Sequence, residues 1–426
     1  MNTESVGSQK LSLSDEIVTR INELATISET PEHLCRLFLT KEHLAAAGLL
    51  LGWMRGAGMQ AHLDAIGNVC GRYEGDRPGL PCVMLGSHFD TVRNAGKWDG
   101  PLGLITAISC VADLHRRGRR LGFAIEVTGF ADEEGVRFAS ALIGSRAVAG
   151  TFNESALAVQ DERGISMREA LSSFGLDPNQ VAAAARGRRE LLAYLELHME
   201  QGPVLEKKNL PLGIVSAISG ATRLAAVLTG TAGHAGTVPM AMRRDALTGA
   251  ADCIRAVEQL CQTDQGGLVG TVGYIHADPG ATNVIPGQVS FTLDVRAPTD
   301  THRKLAVTDI VRRIEAIAKR RHLSLQLDIT HENRTVPCAP WLKEQISLAI
   351  LAERLPVFEL PSGAGHDGMA MIDVTDVGMI FVRCRGGISH HPQEHVDPAD
   401  VDSGARVLLH VLENFKAHGI TAMGPA

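Results

Sequence analysis

Residues 82–90 read CVMLGSHFD, and the reading of the whole chain works outward from them. Cys82 to Gly86 is a short apolar run of strand length, followed directly by Ser87, His88, Phe89 and Asp90. Leu102 to Arg117 then reads as a helix ending before Gly118, and Ile125 to Ala131 as the next strand. Strands alternating with helices build an α/β layer with a largely parallel sheet. In such sheets ligands bind outside the carboxyl ends of the strands. His88 and Asp90 stand at one such end, and Asp132-Glu133-Glu134-Gly135 stand at the next.

Further along, Tyr194 to Glu200 alternates, with Leu195, Leu197 and Met199 on one side and Glu196, His198 and Glu200 on the other. A helix near Trp341 to Glu353, a strand at Gly378 to Cys384 and a helix at Ala399 to His418 continue the pattern. Between them the order changes. Arg223 to Gly230 reads as a strand, Arg243 to Gln262 as a helix, Leu268 to His276 and Gln288 to Arg296 as strands, Thr301 to Arg320 as a helix and Leu323 to Thr330 as a strand. That is the β-α-β-β-α-β order of a ferredoxin-like unit. The expected architecture is therefore a larger α/β domain, residues 1–213 and 332–426, with a mostly parallel mixed sheet and helices on both faces. A ferredoxin-like domain, 214–331, is inserted into it.

Composition sets the class. The chain has 426 residues, and at roughly 150 residues per domain that means two or three domains. Hydrophobic residues make up 45% and charged residues 21%, as in ordinary globular proteins, so disorder and collagen-like repeats are excluded. The net charge is −7 and no basic stripe occurs, which argues against nucleic acid. Met1 to Lys10 is mostly polar, without the apolar core of a signal peptide. The longest mostly apolar run, Leu102 to Ala112, is too short to span a bilayer. The eight cysteines include no C-x-x-C pair and several lie in apolar runs, so free buried thiols in a reducing cytoplasm are expected.

Five clusters carry chemistry. In Gly86 to Asp90, a carboxylate two residues from a histidine can orient its imidazole, although H-x-D alone reads more readily as a polar surface turn. In Gly96 to Gly103, Asp99 precedes a helix starting near Pro101, which fits a helix cap as well as a shared metal ligand. Asp132, Glu133 and Glu134 follow a buried strand, where three acids are costly unless a cation faces them. In an extended segment neighbouring side chains diverge, so one can bind metal while the other faces a water. His198 lies on the polar side of its strand, and Ser389-His390-His391-Pro392 follows another. Histidines with Asp and Glu, and no Cys, suit Zn²⁺, Mn²⁺ or Co²⁺. Competing motifs are weak. Gly363 to Gly368 spells G-x-G-x-x-G without a clear strand before it, no G-x-S-x-G occurs, and His331-Glu332 lacks a second His.

Nearly the whole chain resembles the M20-type metallohydrolases, in the branch that cleaves ureido compounds. The likeness rests on GSHFDTV (86–92), GKWDGPLG (96–103), FADEEGVRF (130–138), LELHMEQGPVLE (195–206), GHAGTVPM (233–240), ATNVIPG (281–287), LDVR (293–296), SGAGHDG (362–368) and SHHPQEH (389–395). The resemblance implies two divalent metal ions per subunit, with Mn²⁺, Zn²⁺, Co²⁺ and Ni²⁺ as candidates. His88, Asp99 and His198 would hold one, and Asp99, Glu134 and His390 the other, with Asp99 bridging. Glu133 would be the general base and Asp90 would orient His88. The family carries Ser or Asn where this chain has His391; alignment on Ser389 and Pro392 keeps His390 as the ligand, with His391 a competitor.

The same resemblance assigns the inserted domain to homodimerisation and substrate capture. His234 would reach a partner subunit's site and stabilise the oxyanion, while Asn283 and Arg296 would bind the substrate carboxylate. Arg296 ends a strand whose apolar face is Val289, Phe291, Leu293 and Val295, so its fork points off the core toward a carboxylate. Gln201 and His366 would line the pocket. The expected activity is cleavage of the terminal ureido group of allantoate, giving ureidoglycine, ammonia and carbon dioxide. The alternative is hydrolysis of N-carbamoyl-L-amino acids.

Overall fold

The computed structural model describes residues 12–418; the polar stretch Met1 to Lys10 lies outside them. The described residues form two compact units. Ser216–Pro337 with Pro361–Gly365 form one unit, and the remaining described residues form the other.

The larger unit is built on a mixed sheet. From one edge its strands run Gln60–Leu63, Val69–Tyr73, Ala124–Phe130, Cys82–His88, Leu191–Met199, Val377–Val382 and then Leu212–Ile218. The four from Ala124–Phe130 to Val377–Val382 are mutually parallel. Antiparallel pairings flank them on both sides. The strand expected at Cys82 to Gly86 extends to His88, so that side chain is its last residue. These central strands are buried along almost their whole length. That explains their near-continuous apolar runs.

Helices cover the sheet. The helix Pro101–Arg116 packs on Cys82–His88 and Leu191–Met199 and against the helices Leu13–Ala25 and Pro398–Glu413. The last of these stops at Glu413, short of the expected His418. On the opposite side of Leu191–Met199, where Tyr194, Glu196 and His198 point, lie His366 and the short helix Gly368–Met371. A short strand, Glu359–Ser362, does precede the glycine-rich Gly363 to Gly368, contrary to expectation. The helix after it spans only Gly368–Met371, which is no dinucleotide fingerprint.

The second unit has the β-α-β-β-α-β order. Its antiparallel sheet runs Ile275–Asp278, Gln288–Ala297, Gly220–Thr229, Ser324–Asn333, with helices Ala246–Thr263 and Asp300–Arg320. Val289, Phe291, Leu293 and Val295 are buried in its own apolar core. The strand expected across Leu268 to His276 is broken. Val269–Thr271 and Ile275–Asp278 both pair with Gln288–Ala297, and the register leaves three residues, 272–274, opposite two, 292–293. That is one extra residue, a bulge, which local pattern alone does not reveal.

Candidate metal centre and active site

Strand ends deliver most of the site. His88 ends one central strand, His198 lies one residue from the end of its parallel neighbour, and Asp132 to Glu134 follow Phe130 at the end of the third. Asp99 arrives from the turn before helix Pro101–Arg116. It is not a cap: Gly100 occupies that position, at φ 81, with no side-chain cap hydrogen bond. A β-carbon on Gly100 would lie 2.5 Å from the His88 carbonyl and 2.6 Å from its ring. Glycine therefore lets the Asp99 turn lie against His88.

Asp99 is buried and its two oxygens face different ways. Oδ1 lies 3.2 Å from His198 Nε2 and 3.6 Å from His88 Nε2. Oδ2 lies 3.1 Å from His390 Nε2, which in turn is 3.3 Å from Glu134 Oε1. Two three-residue groups of ligand type thus share Asp99: His88, Asp99, His198 and Asp99, Glu134, His390. His88 also groups with Glu133 and Glu134, and His198 with Glu196 and His366. His391 falls in none of these groups, and its Nδ1 accepts the Gln393 N–H at 3.2 Å.

The imidazoles are set by what their other nitrogen meets. His198 Nδ1 donates to the Met199 carbonyl at 2.9 Å, which leaves the Nε2 lone pair toward Asp99. His88 Nδ1 lies 3.1 Å from the Asp90 carbonyl and 3.5 Å from its carboxylate. The Asp90 oxygens accept the backbone N–H groups of Glu133 and Glu134 at 3.1 and 3.2 Å. The loop that carries these acids is not extended. Asp132 has φ 59, and its carbonyl and that of Glu133 are held by the N–H groups of Ile143 and Leu142. The left-handed turn, more than strand alternation, separates the neighbouring carboxylates.

The electrostatics call for a cation. Burial pushes the carboxyls of Asp132 and Glu133 well above the carboxylate range, and neighbouring acids push further. Burial also works against the Asp99 carboxylate, but the facing imidazoles of His198, His390 and His88 outweigh it and hold its pKa well below the usual range. Asp99 and Glu134 raise His390 to about 10. A divalent ion competes for the lone pair that such a proton occupies. Buried Asp99 Oδ1 and His198 Nε2 both lack a hydrogen-bond partner. Orphaned buried atoms of ligand type, set among N/O donors, fit a divalent metal.

Several side chains make contacts here that the sequence did not indicate. Ser389 places its hydroxyl 3.3 Å from Asp99 Oδ2. Gln201, expected only to line the pocket, donates to both at 3.1 and 3.0 Å. Behind the strand ends, Glu196 accepts from Ser87 at 3.1 Å and from Tyr194 at 3.0 Å. His366 packs edge-on to His198 with ring centroids 4.6 Å apart, and Asp367 beside it is fully buried.

The second unit holds the remaining candidates. Gly233–His234 pairs with Val284–Ile285, and the Ala235 N–H donates to the Asn283 carbonyl at 2.9 Å, so His234 and Asn283 are neighbours on its exposed surface. Gly236 N–H donates to His234 Nδ1 at 3.0 Å. The ring proton is thereby placed on Nε2. Arg296 is half-buried and already forked onto Asp294, at 2.8 and 2.9 Å, with Nη1 donating to the Gly363 carbonyl at 2.7 Å. A cavity of about 690 Å³ adjoins it, lined also by Arg223, Thr271, Tyr274 and Thr292.

Known proteins resemble the chain throughout. The sequence profile of peptidase family M20/M25/M40 matches residues 84–414. Allantoate deiminase of Arabidopsis thaliana is 41% identical, covering 94% of this chain and 82% of its own. N-carbamoyl-L-amino acid amidohydrolase of Geobacillus stearothermophilus is also 41% identical, over 92% of this chain and 96% of its own. Among solved structures, an amidase of the hydantoinase/carbamoylase family from Burkholderia multivorans superposes with a TM-score of 0.89 at 33% identity, covering 94% of this chain and 97% of its own.

Proposed function

The chain belongs to peptidase family M20/M25/M40, and from that premise we propose that it is a metal-dependent amidohydrolase cleaving the terminal ureido group of allantoate to ureidoglycine, ammonia and carbon dioxide. The observation that carries this reading is the Asp99 carboxylate, whose two oxygens serve two separate His/carboxylate groups beside Glu133. His88, Asp99 and His198 would hold one divalent ion and Asp99, Glu134 and His390 the other, with Mn²⁺ or Zn²⁺ favoured and Co²⁺ or Ni²⁺ also suited to the donors. Such ions, when bound, supply Lewis acidity toward a carbonyl oxygen and lower the pKa of water.

The protein's own groups do the rest. Glu133, half-buried, takes a proton from the attacking water and returns it to the leaving nitrogen. Asp90 fixes the backbone of Glu133 and Glu134 while facing His88. Arg296, held by Asp294, presents its remaining N–H bonds to the substrate carboxylate, with Asn283 beside His234 as a further contact. His234, with its proton on Nε2, is a donor for the developing oxyanion, supplied to the site of a partner subunit in a homodimer. No helix among the described residues is long and apolar enough to cross a membrane. Eight free cysteines, seven of them buried, support a cytoplasmic setting.

The second reading is N-carbamoyl-L-amino-acid hydrolysis, favoured by the equal identity of that relative. The two substrates share a ureido group and a carboxylate, so the same groups serve both. Ammonia release from allantoate and from N-carbamoyl-L-amino acids, with Mn²⁺-loaded protein, separates them. Rapid turnover of the carbamoyl amino acid with none of allantoate reverses the assignment.

A further inference from the structure

Glu394 has no part in the scheme above, yet it is buried at 4% exposure. Its Oε2 accepts the backbone N–H groups of Trp98 at 2.9 Å and Asp99 at 3.1 Å. Its Oε1 accepts the Ser389 hydroxyl at 3.2 Å. Gly96 faces the same carboxylate so closely that a β-carbon there would lie 2.3 Å from Oε2. The turn 96–99 is thus folded around Glu394, and the loop 389–394 is tied to that turn. These are the segments that carry Asp99 and His390.

We propose that Glu394 is a positioning residue that holds Asp99 and His390 together for the ion that both of them bind. The inference rests on the two-ion reading above. Its asymmetry follows from the ligand sets. The Asp99, Glu134, His390 group has two of its three members on segments anchored by Glu394. The His88, Asp99, His198 group has one, and its histidines sit on central strands. Loss of Glu394 orphans two buried N–H groups and frees the His390 loop, so it acts on one ion more than the other.

The test is calorimetric titration of the metal-free full chain with Mn²⁺, with bound metal counted by elemental analysis and folding followed by thermal melting without metal. The wild type is expected to take two ions. Glu394→Ala is expected to keep one at wild-type affinity and to weaken the other about tenfold or more, with kcat reduced and KM little changed. Glu394→Gln keeps an oxygen for the Trp98 and Asp99 N–H groups and is expected to restore the weakened ion. Gly96→Ala retains the Glu394 carboxylate but displaces it, and is expected to weaken the same ion. Two ions at wild-type affinity in Glu394→Ala overturn the inference and leave the two-ion reading standing. Equal weakening of both ions, unrelieved in Glu394→Gln, overturns it in favour of a general structural role. A wild type that takes fewer than two ions overturns the two-ion reading itself and the inference with it.

Discussion

The Asp90 carboxylate accepts the backbone N–H of Glu133 at 3.1 Å. Its second oxygen takes the N–H of Glu134 at 3.2 Å, and His88 Nδ1 lies 3.5 Å from the first. One buried side chain therefore registers the proposed base, Glu133, and two proposed metal ligands, Glu134 and His88, from two parallel strands. Asp90→Asn would turn an amide NH₂ toward one of those N–H groups. Activity is expected to fall by about 10- to 100-fold, as for other groups that orient metal ligands. Steady-state kinetics on the Mn²⁺-loaded variant check this, and an unchanged kcat would show that the backbone contacts alone do not set the site.

Glu133→Gln separates binding from chemistry. The amide is nearly isosteric but cannot take a proton from water. Metal content and substrate affinity are expected to stay, while turnover drops by about 10² to 10⁴-fold, the usual contribution of a general base. Single-turnover ammonia release beside equilibrium binding measures the two independently. A variant with wild-type turnover would remove Glu133 from the mechanism.

Chelation should remove both activity and stability. Dialysis against EDTA is expected to abolish ureido hydrolysis, and added Mn²⁺ to restore it. Ions that bind only the folded chain stabilise it by about 2.7 kcal/mol at a hundred times Kd. The melting temperature should therefore rise with Mn²⁺ concentration. Full activity in protein shown to be metal-free by elemental analysis would end the metal reading.

Much of this site is legible in the sequence because strands announce themselves locally. The apolar runs ending at His88, at Ala131 and near His198 place three clusters at one end of a parallel sheet. The ferredoxin-like order likewise follows from the spacing of apolar runs and turns. What escapes is long-range or sterically local. The bonds from Glu394 to the backbone of Trp98 and Asp99 join residues almost 300 positions apart, and no periodicity encodes them. The left-handed turn at Asp132 depends on the N–H groups of Leu142 and Ile143 holding the loop. The extra residue at 272–274 splits a strand that composition alone would continue.

Arg296 tests substrate capture apart from the metal centre. Arg296→Ala is expected to raise KM for a ureido carboxylate by about 10- to 100-fold, since hydrogen bonds to a charged group are worth about 1.5–3 kcal/mol, with bound metal unchanged. Asp294→Asn should act in the same direction more weakly, because it loosens the fork without removing it. Kinetics on both variants, with metal counted, check the order. An unchanged KM in Arg296→Ala would refute the carboxylate clamp.

His43 gives the fold an acid limit independent of the metal ligands. It is buried, its Nδ1 accepts the Leu39 N–H at 2.8 Å, and its Nε2 lies 3.0 Å from the Gly67 carbonyl. Those contacts suit the neutral ring with its proton on Nε2. Burial, only partly offset by the Gly67 hydrogen bond, lowers its pKa from 6.5 to about 4. The unfolded chain therefore binds more protons than the folded one between those values. Its contribution is fully present above pH 6.5 and is lost as pH falls toward 4, a difference of about 3 kcal/mol at most. Denaturant unfolding of metal-free protein from pH 7 to 4 is expected to lose stability steeply in the wild type and less steeply in His43→Gln. Equal slopes in the two proteins would mean that His43 already carries a proton in the fold.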